Sequence, residues 1–198
     1  ILMVGFNKQS MSNKYRGMTI ADAAKLRNES PEEAIVNLII EDGSRIQCIY
    51  FSMSEENIRK KIKLPWVAFD SDAGSYSDIS KDFITHPRAF GSFARVLGKY
   101  VRDEKLISME EAIRRLTGFP ADNLGIKNRG YLKPGFFADI VVFDPKLIED
   151  KATFEEPLQF AVGVEDVFVN GIQVLSKSNH TGKFPGRFVK GAGYSPSN

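Results

Sequence analysis

The sequence predicts an α/β chain made of the closing βα units of a (β/α) barrel, followed by a small β domain. Three observations lead there. Residues 1–65 alternate strand-like runs with capped helices, the pattern of βα units on a parallel sheet. The apolar run Trp66–Phe69 then breaks into Asp70, Ser71, Asp72, Ala73 and Gly74, which places carboxylates where a buried strand becomes a loop. In a (β/α) barrel that strand end is where catalytic groups sit. From Gly130 onward helical patterning gives way to short strands and turns, so the expected division is barrel and trailing helices over 1–129 and a small β domain with a tail over 130–198.

The elements follow in order. Ile1-Leu2-Met3-Val4-Gly5-Phe6 is an apolar run without a polar lead-in, read as a strand entered partway and hence as the continuation of a longer polypeptide. Thr19 before Ile20 starts one helix, and Ser30-Pro31-Glu32-Glu33 starts another with a capping box and a proline at its first position. Arg45–Phe51 suits a strand, Ser52-Met53-Ser54-Glu55 opens a further helix, and Trp66–Phe69 is the next strand. Residues 75–87 form a polar loop, expected to lie over the barrel mouth. Helices are expected at about 88–104 and from Ser108 to about 117 with Gly118 as C-cap, then a helical turn from Pro120 to Leu124. Pro134-Gly135 marks a type II turn, Ala138–Phe143 a strand, and Asn170-Gly171 a tight hairpin between Val167–Val169 and Ile172–Val174.

Composition narrows the function classes. The 198 residues are 42% hydrophobic and 26% charged, with a net charge of +2 and both signs interspersed, which fits a globular chain and gives no basic face for nucleic acid. No apolar stretch approaches the ~20 residues of a membrane span, and no signal-type segment is visible, so no membrane partner and a cytoplasmic setting are expected. A single cysteine excludes an intrachain disulfide.

Candidate site residues are few. Asp72 at the strand end reads either as a catalytic carboxylate or as the cap of a turn before Gly74. Asp70, two residues earlier, would face the same side if the strand persisted; hydrogen bonding to nearby backbone is the plainer reading. His86 and Arg88 could meet substrate from the loop, His86 by a hydrogen bond and Arg88 by a bidentate grip on a carboxylate, or could simply fix the loop. Cys48 lies in an apolar strand and reads as packing, and His180 is assigned no role. With two histidines and one cysteine, the chain is too poor in metal ligands to build a metallohydrolase site unaided.

Three segments carry a resemblance: Ser71-Asp72-Ala73-Gly74, then His86-Pro87-Arg88 with its continuation Phe90-Gly91-Ser92-Phe93-Ala94-Arg95-Val96-Leu97-Gly98, then Leu132-Lys133-Pro134-Gly135 through Ala138-Asp139-Ile140-Val141-Val142-Phe143-Asp144. Together they resemble the amidohydrolase superfamily, and within it the D-aminoacylase (N-acyl-D-amino-acid deacylase) group. The Pro-Gly and Ala-Asp segment identifies only the superfamily; the His-Pro-Arg segment and Ala152–Pro157 are more specific. The likeness implies a zinc-dependent barrel hydrolase cleaving the amide of N-acyl-D-amino acids, its barrel joined to a small β-sandwich of which 130–198 supply the C-terminal strands, with this chain as its C-terminal portion, inactive alone and partnered by the missing N-terminal half. It carries the catalytic aspartate onto Asp72, which would serve as acid and base and touch the metal, the other ligands being absent. Asp70 departs from the family's small residue. The alternatives are a cyclic-amide hydrolase of the dihydroorotase or hydantoinase kind and a non-catalytic assembly module.

Overall fold

The computed structural model describes residues 1–74, 85–191 and 193–195. Its N-terminal part is built on strand β1 (Leu2–Gly5), helices α1 (Gln9–Tyr15), α2 (Ile20–Arg27) and α3 (Pro31–Asp42), and strand β2 (Gln47–Ile49). Local chemistry explains the helix starts. Thr19 accepts the Asp22 N–H, and Ser30 and Glu33 form a reciprocal capping box with Pro31 in the first turn. Asn28 and Gly43, both left-handed, end α2 and α3.

The parallel sheet expected here is not what forms. β1 and β2 pair antiparallel, with Leu2 opposite Ile49 and Met3 opposite Cys48. On its other edge β1 is held by main-chain bonds to Met18 and Thr19's neighbourhood, including a Leu2–Thr19 bridge. Helices α2 and α3 pack on each other instead of lying over the sheet as one crossover helix, so nothing imposes the parallel sense that a βαβ unit requires. Met3, Met11, Tyr15, Ala23 and Leu38 make the small core of this part, with Cys48 packed against it as expected. Asp42, fully buried, accepts the Asn7 and Lys8 N–H groups at 2.9 Å each and fixes the start of α1.

Helix α4 (Glu55–Ile62) is capped by Ser54, which accepts from Asn57, so the capping residue lies two positions beyond the Ser52 of the expected box. A second correction follows. Trp66–Phe69 is not a strand, because Val67 N–H turns back to Leu64 O and the Val67 carbonyl is taken by a side chain, leaving no ladder. Residues 75–84 of the expected loop lie outside the described residues.

Helix α5 (Arg88–Arg95) runs on in π-helical geometry over Val96–Asp103, followed by α6 (Met109–Leu116), capped by Ser108, and α7 (Gly118–Asn123). Gly118 does not cap α6; Thr117 closes it and Gly118 opens α7, where a side chain would strike the Tyr131 ring. The main core is here: Ala94, Val96, Leu97, Val101, Ala112 and Ile148, with Phe69, Phe143 and Val164 packed against it. Ile148, Phe143 and Val164 come from beyond residue 130, so the helices and the β part share one core. Gly98 permits this approach, since a Cβ there would collide with the Ile148 carbonyl.

The C-terminal sheet is antiparallel in the order β3 (Ile140–Phe143), β4 (Val164–Val169), β5 (Ile172–Ser176), β6 (Asn179–His180). Its central hairpin turns on Asn170 and Gly171, at φ 49° and 78°, the type I′ geometry that this pair favours. Pro134 and Gly135 form the expected turn, closed by Phe136 N–H to Lys133 O, with Gly135 at φ 84°. Among the described residues, no helix is long and apolar enough to cross a membrane.

Candidate active site

Asp72 stands in left-handed backbone geometry at φ 47°, a conformation that a non-glycine residue adopts at some cost and that aspartate tolerates better than most. The turn throws its side chain outward, 83% exposed, toward the start of α5. Arg88 meets it there twice: the guanidinium pairs with the Asp72 carboxylate at 2.7 Å, and Nε donates to the Asp72 carbonyl at 3.1 Å. One arginine thereby fixes both the side chain and the main chain of the aspartate. Arg88 N–H in turn donates to His86 Nδ1 at 3.1 Å, which leaves the proton of neutral His86 on Nε2. Burial, then the neighbouring Arg88 charge, holds the imidazole pKa below its ordinary value. The ring stacks edge-on against Phe154, with centroids 5.1 Å apart, and Phe51 packs on the same Phe154 at 4.9 Å.

These three residues line one cleft of about 610 Å³, together with Gln47, Cys48, Tyr50 and Met53. Its size is in the range of small-molecule sites, roughly 300–1,000 Å³. A second cleft of about 760 Å³ shares Tyr50, Met53, His86 and Arg88 with it and extends past Phe51, Phe93 and Phe154, giving a polar mouth beside an apolar extension. Cys48 contributes a wall, its thiol pKa raised by burial and its Sγ 3.7 Å from Ile46 O.

Asp70 does not join this arrangement through a continuous strand. Its carboxylate accepts the Ser71 N–H at 2.7 Å, the backbone-bonded role that was the plainer reading. His180 lies apart on β6, bonded to the Gly182 N–H and tilted against Phe184. Sequence reasoning overlooked Arg114 and Arg115, whose side chains hold the segment leading to Asp72. The available signal was a charged residue on the face of α6 that also carries Ala112 and Leu116, where a core residue is expected.

The described residues do not hold a metal by themselves. Among the described residues no three His, Cys, Asp or Glu side chains converge, and the exposed oxygen of Asp72 is met by an arginine. A zinc site takes four ligands, or three and a water.

Comparison with known proteins agrees on one lineage. The model of the amidohydrolase family, Amidohydro_3, matches residues 10–175. A D-aminoacylase from Alcaligenes xylosoxydans xylosoxydans is 40% identical over 141 residues, covering 71% of this chain and 28% of that protein. The crystal structure of a D-aminoacylase described as defining a novel subset of amidohydrolases superposes with a TM-score of 0.81 at 32% identity, over 95% of this chain and 37% of that one. An N-acyl-D-glutamate deacylase from Bordetella bronchiseptica, complexed with zinc and a phosphonate mimic of the tetrahedral intermediate, superposes with a TM-score of 0.75 at 35% identity, over 88% of this chain and 35% of that one. The chain thus spans between a quarter and two fifths of the length of the relatives it matches.

Proposed function

The chain belongs to the amidohydrolase family, and from that premise we propose that it is the C-terminal part of a zinc-dependent hydrolase that splits N-acyl-D-amino acids into a carboxylate and a D-amino acid. The observation that carries this reading is the presentation of Asp72: a left-handed backbone turn directs its carboxylate into an open cleft, and Arg88 holds it there by side chain and carbonyl. The relatives supply the substrate class, since a D-aminoacylase and an N-acyl-D-glutamate deacylase share the fold of this segment.

In this reading Asp72 takes a proton from the attacking water and returns it to the leaving amine, a general base that becomes a general acid. Zinc belongs to the complete enzyme, and its other ligands come from residues outside these 198, a reading supported by the lack of a converging ligand group among the described residues. His86 and Arg88 meet the substrate carboxylate from the wall of the same cleft, Arg88 by exchanging its pair with Asp72 for a bidentate grip on the substrate. Residues 1–129 then provide closing βα units of the barrel, and 130–198 the sandwich strands.

The test is Asp72→Asn in the full-length enzyme assayed on N-acetyl-D-amino acids beside cyclic amides. Near-complete loss of deacylation supports the reading, whereas retained turnover, or preference for the cyclic substrates, contradicts it.

A further inference from the structure

Arg115 is fully buried, yet among the described residues no carboxylate is bonded to it. Glu111, one helical turn earlier, is engaged instead by Arg114 through two bonds of 2.7 and 2.9 Å. The Arg115 guanidinium is spent on main chain: Nε donates to Val67 O at 2.6 Å and Nη1 to Ile62 O at 2.6 Å, while its plane lies over the Phe69 ring at 4.4 Å. Nη2 finds no partner among the described residues. Arg114 adds a third grip, Nη2 to Pro65 O at 3.2 Å. Two neighbouring arginines of α6 therefore take the carbonyls of Ile62 at the end of α4, of Pro65 and of Val67.

Burying an unpaired cation is unfavourable, and an apolar side chain of similar volume would ordinarily pack with less penalty. What arginine offers in exchange is geometry, because its rigid planar fork spans two acceptors at fixed separation and stacks on an aromatic face at once. The held segment is the one that delivers the aspartate: Val67 and Phe69 stand five and three residues before Asp72. Asp72 is then fixed from two sides, by Arg88 at the residue itself and by Arg115 upstream.

We propose that Arg115 is a positioning residue for Asp72, its buried guanidinium clamping the carbonyls of Ile62 and Val67 and the ring of Phe69 so that the aspartate reaches the cleft in one place. The proposal rests on the reading of Asp72 as the acid and base of the reaction. Lysine cannot substitute, since one ammonium on a flexible stem cannot span both carbonyls and stack.

Two measurements test it. On the full-length enzyme, hydrogen exchange of Arg115→Lys and Arg115→Met compares the Leu64 and Val67 amides, whose bonds lie at the clamped segment, with those of α3. The clamp predicts at least about tenfold faster exchange at Leu64 and Val67 with α3 unchanged. Equal acceleration everywhere, or none, overturns it. In the full-length enzyme Arg115→Lys is expected to lower kcat about a hundredfold with KM held, the signature of a displaced catalytic group. Should Asp72→Asn abolish turnover while Arg115→Lys leaves kcat intact, the clamp is refuted and the role of Asp72 stands. Should Asp72→Asn remain active, both fall together.

Discussion

Arg88 meets Asp72 at both its carboxylate and its carbonyl, and that pair shapes the cleft. His86 is coupled to it through the Arg88 N–H. Because the folded imidazole titrates below the ordinary 6.5, the unfolded chain takes up the proton first. The sign is therefore fixed: this contribution to stability is present above about pH 6.5 and is lost as pH falls through the folded value. Urea midpoints from about pH 7.5 down to about 5.5 are expected to fall more steeply for the parent chain than for His86→Gln. At Gly98 the constraint is steric instead. Gly98→Ala would push a methyl group into the Ile148 carbonyl and separate the helices from the β part, with an expected loss of about 1–3 kcal/mol in denaturant unfolding. That Asp72 stands in a turn was legible in the sequence, because carboxylates and Gly74 interrupt an apolar run. Arg115 was not, because pattern reading assigns arginine to solvent, and only the packed structure reveals which main-chain carbonyls it reaches.

Among the elements, two features set by local chemistry formed as the sequence predicts, whereas two that depend on pairing, the parallel sense of the first sheet and the strand at Trp66–Phe69, did not. The Ser30–Glu33 capping box forms as written, and Ser30→Ala is expected to cost about 1 kcal/mol of stability with α3 fraying from its first turn, visible in the exchange of the Glu33 amide. The Asn170-Gly171 hairpin forms for a similar reason, since both residues tolerate positive φ. Strands are another matter, because a strand exists only with a neighbour. Trp66–Phe69 has strand composition but donates and accepts locally or through Arg115, and β1 and β2 find each other antiparallel because the helices between them pack as a pair. Whether a segment pairs, and in which sense, depends on chain far away in sequence. That information is absent from any window of ten residues.

At the scale of the whole molecule the chain is unusually open. It exposes 13168 Å² of surface, against about 9,400 Å² expected for a compact protein of its 22.2 kDa mass. Apolar side chains share in that exposure: Val36, Ile39 and Ile40 along α3, Leu26 on α2, and Val141, Val142 and Ile172 on the C-terminal sheet. An excess of this order is what a large, obligate contact buries. It agrees with a chain that covers 28% of a D-aminoacylase and in which, among the described residues, no set of metal ligands converges. The 198-residue chain is accordingly expected to bind a dye for exposed apolar surface and to self-associate with rising concentration in light scattering; a monomer without dye binding would argue against the open surface. The most direct test of the central claim, that this chain brings the catalytic aspartate to a metal held by residues elsewhere, is zinc per chain on the purified 198-residue protein, by elemental mass spectrometry after exhaustive buffer exchange. A value near zero is predicted, and a value near one per chain would show that these residues assemble a metal site unaided and would contradict the claim.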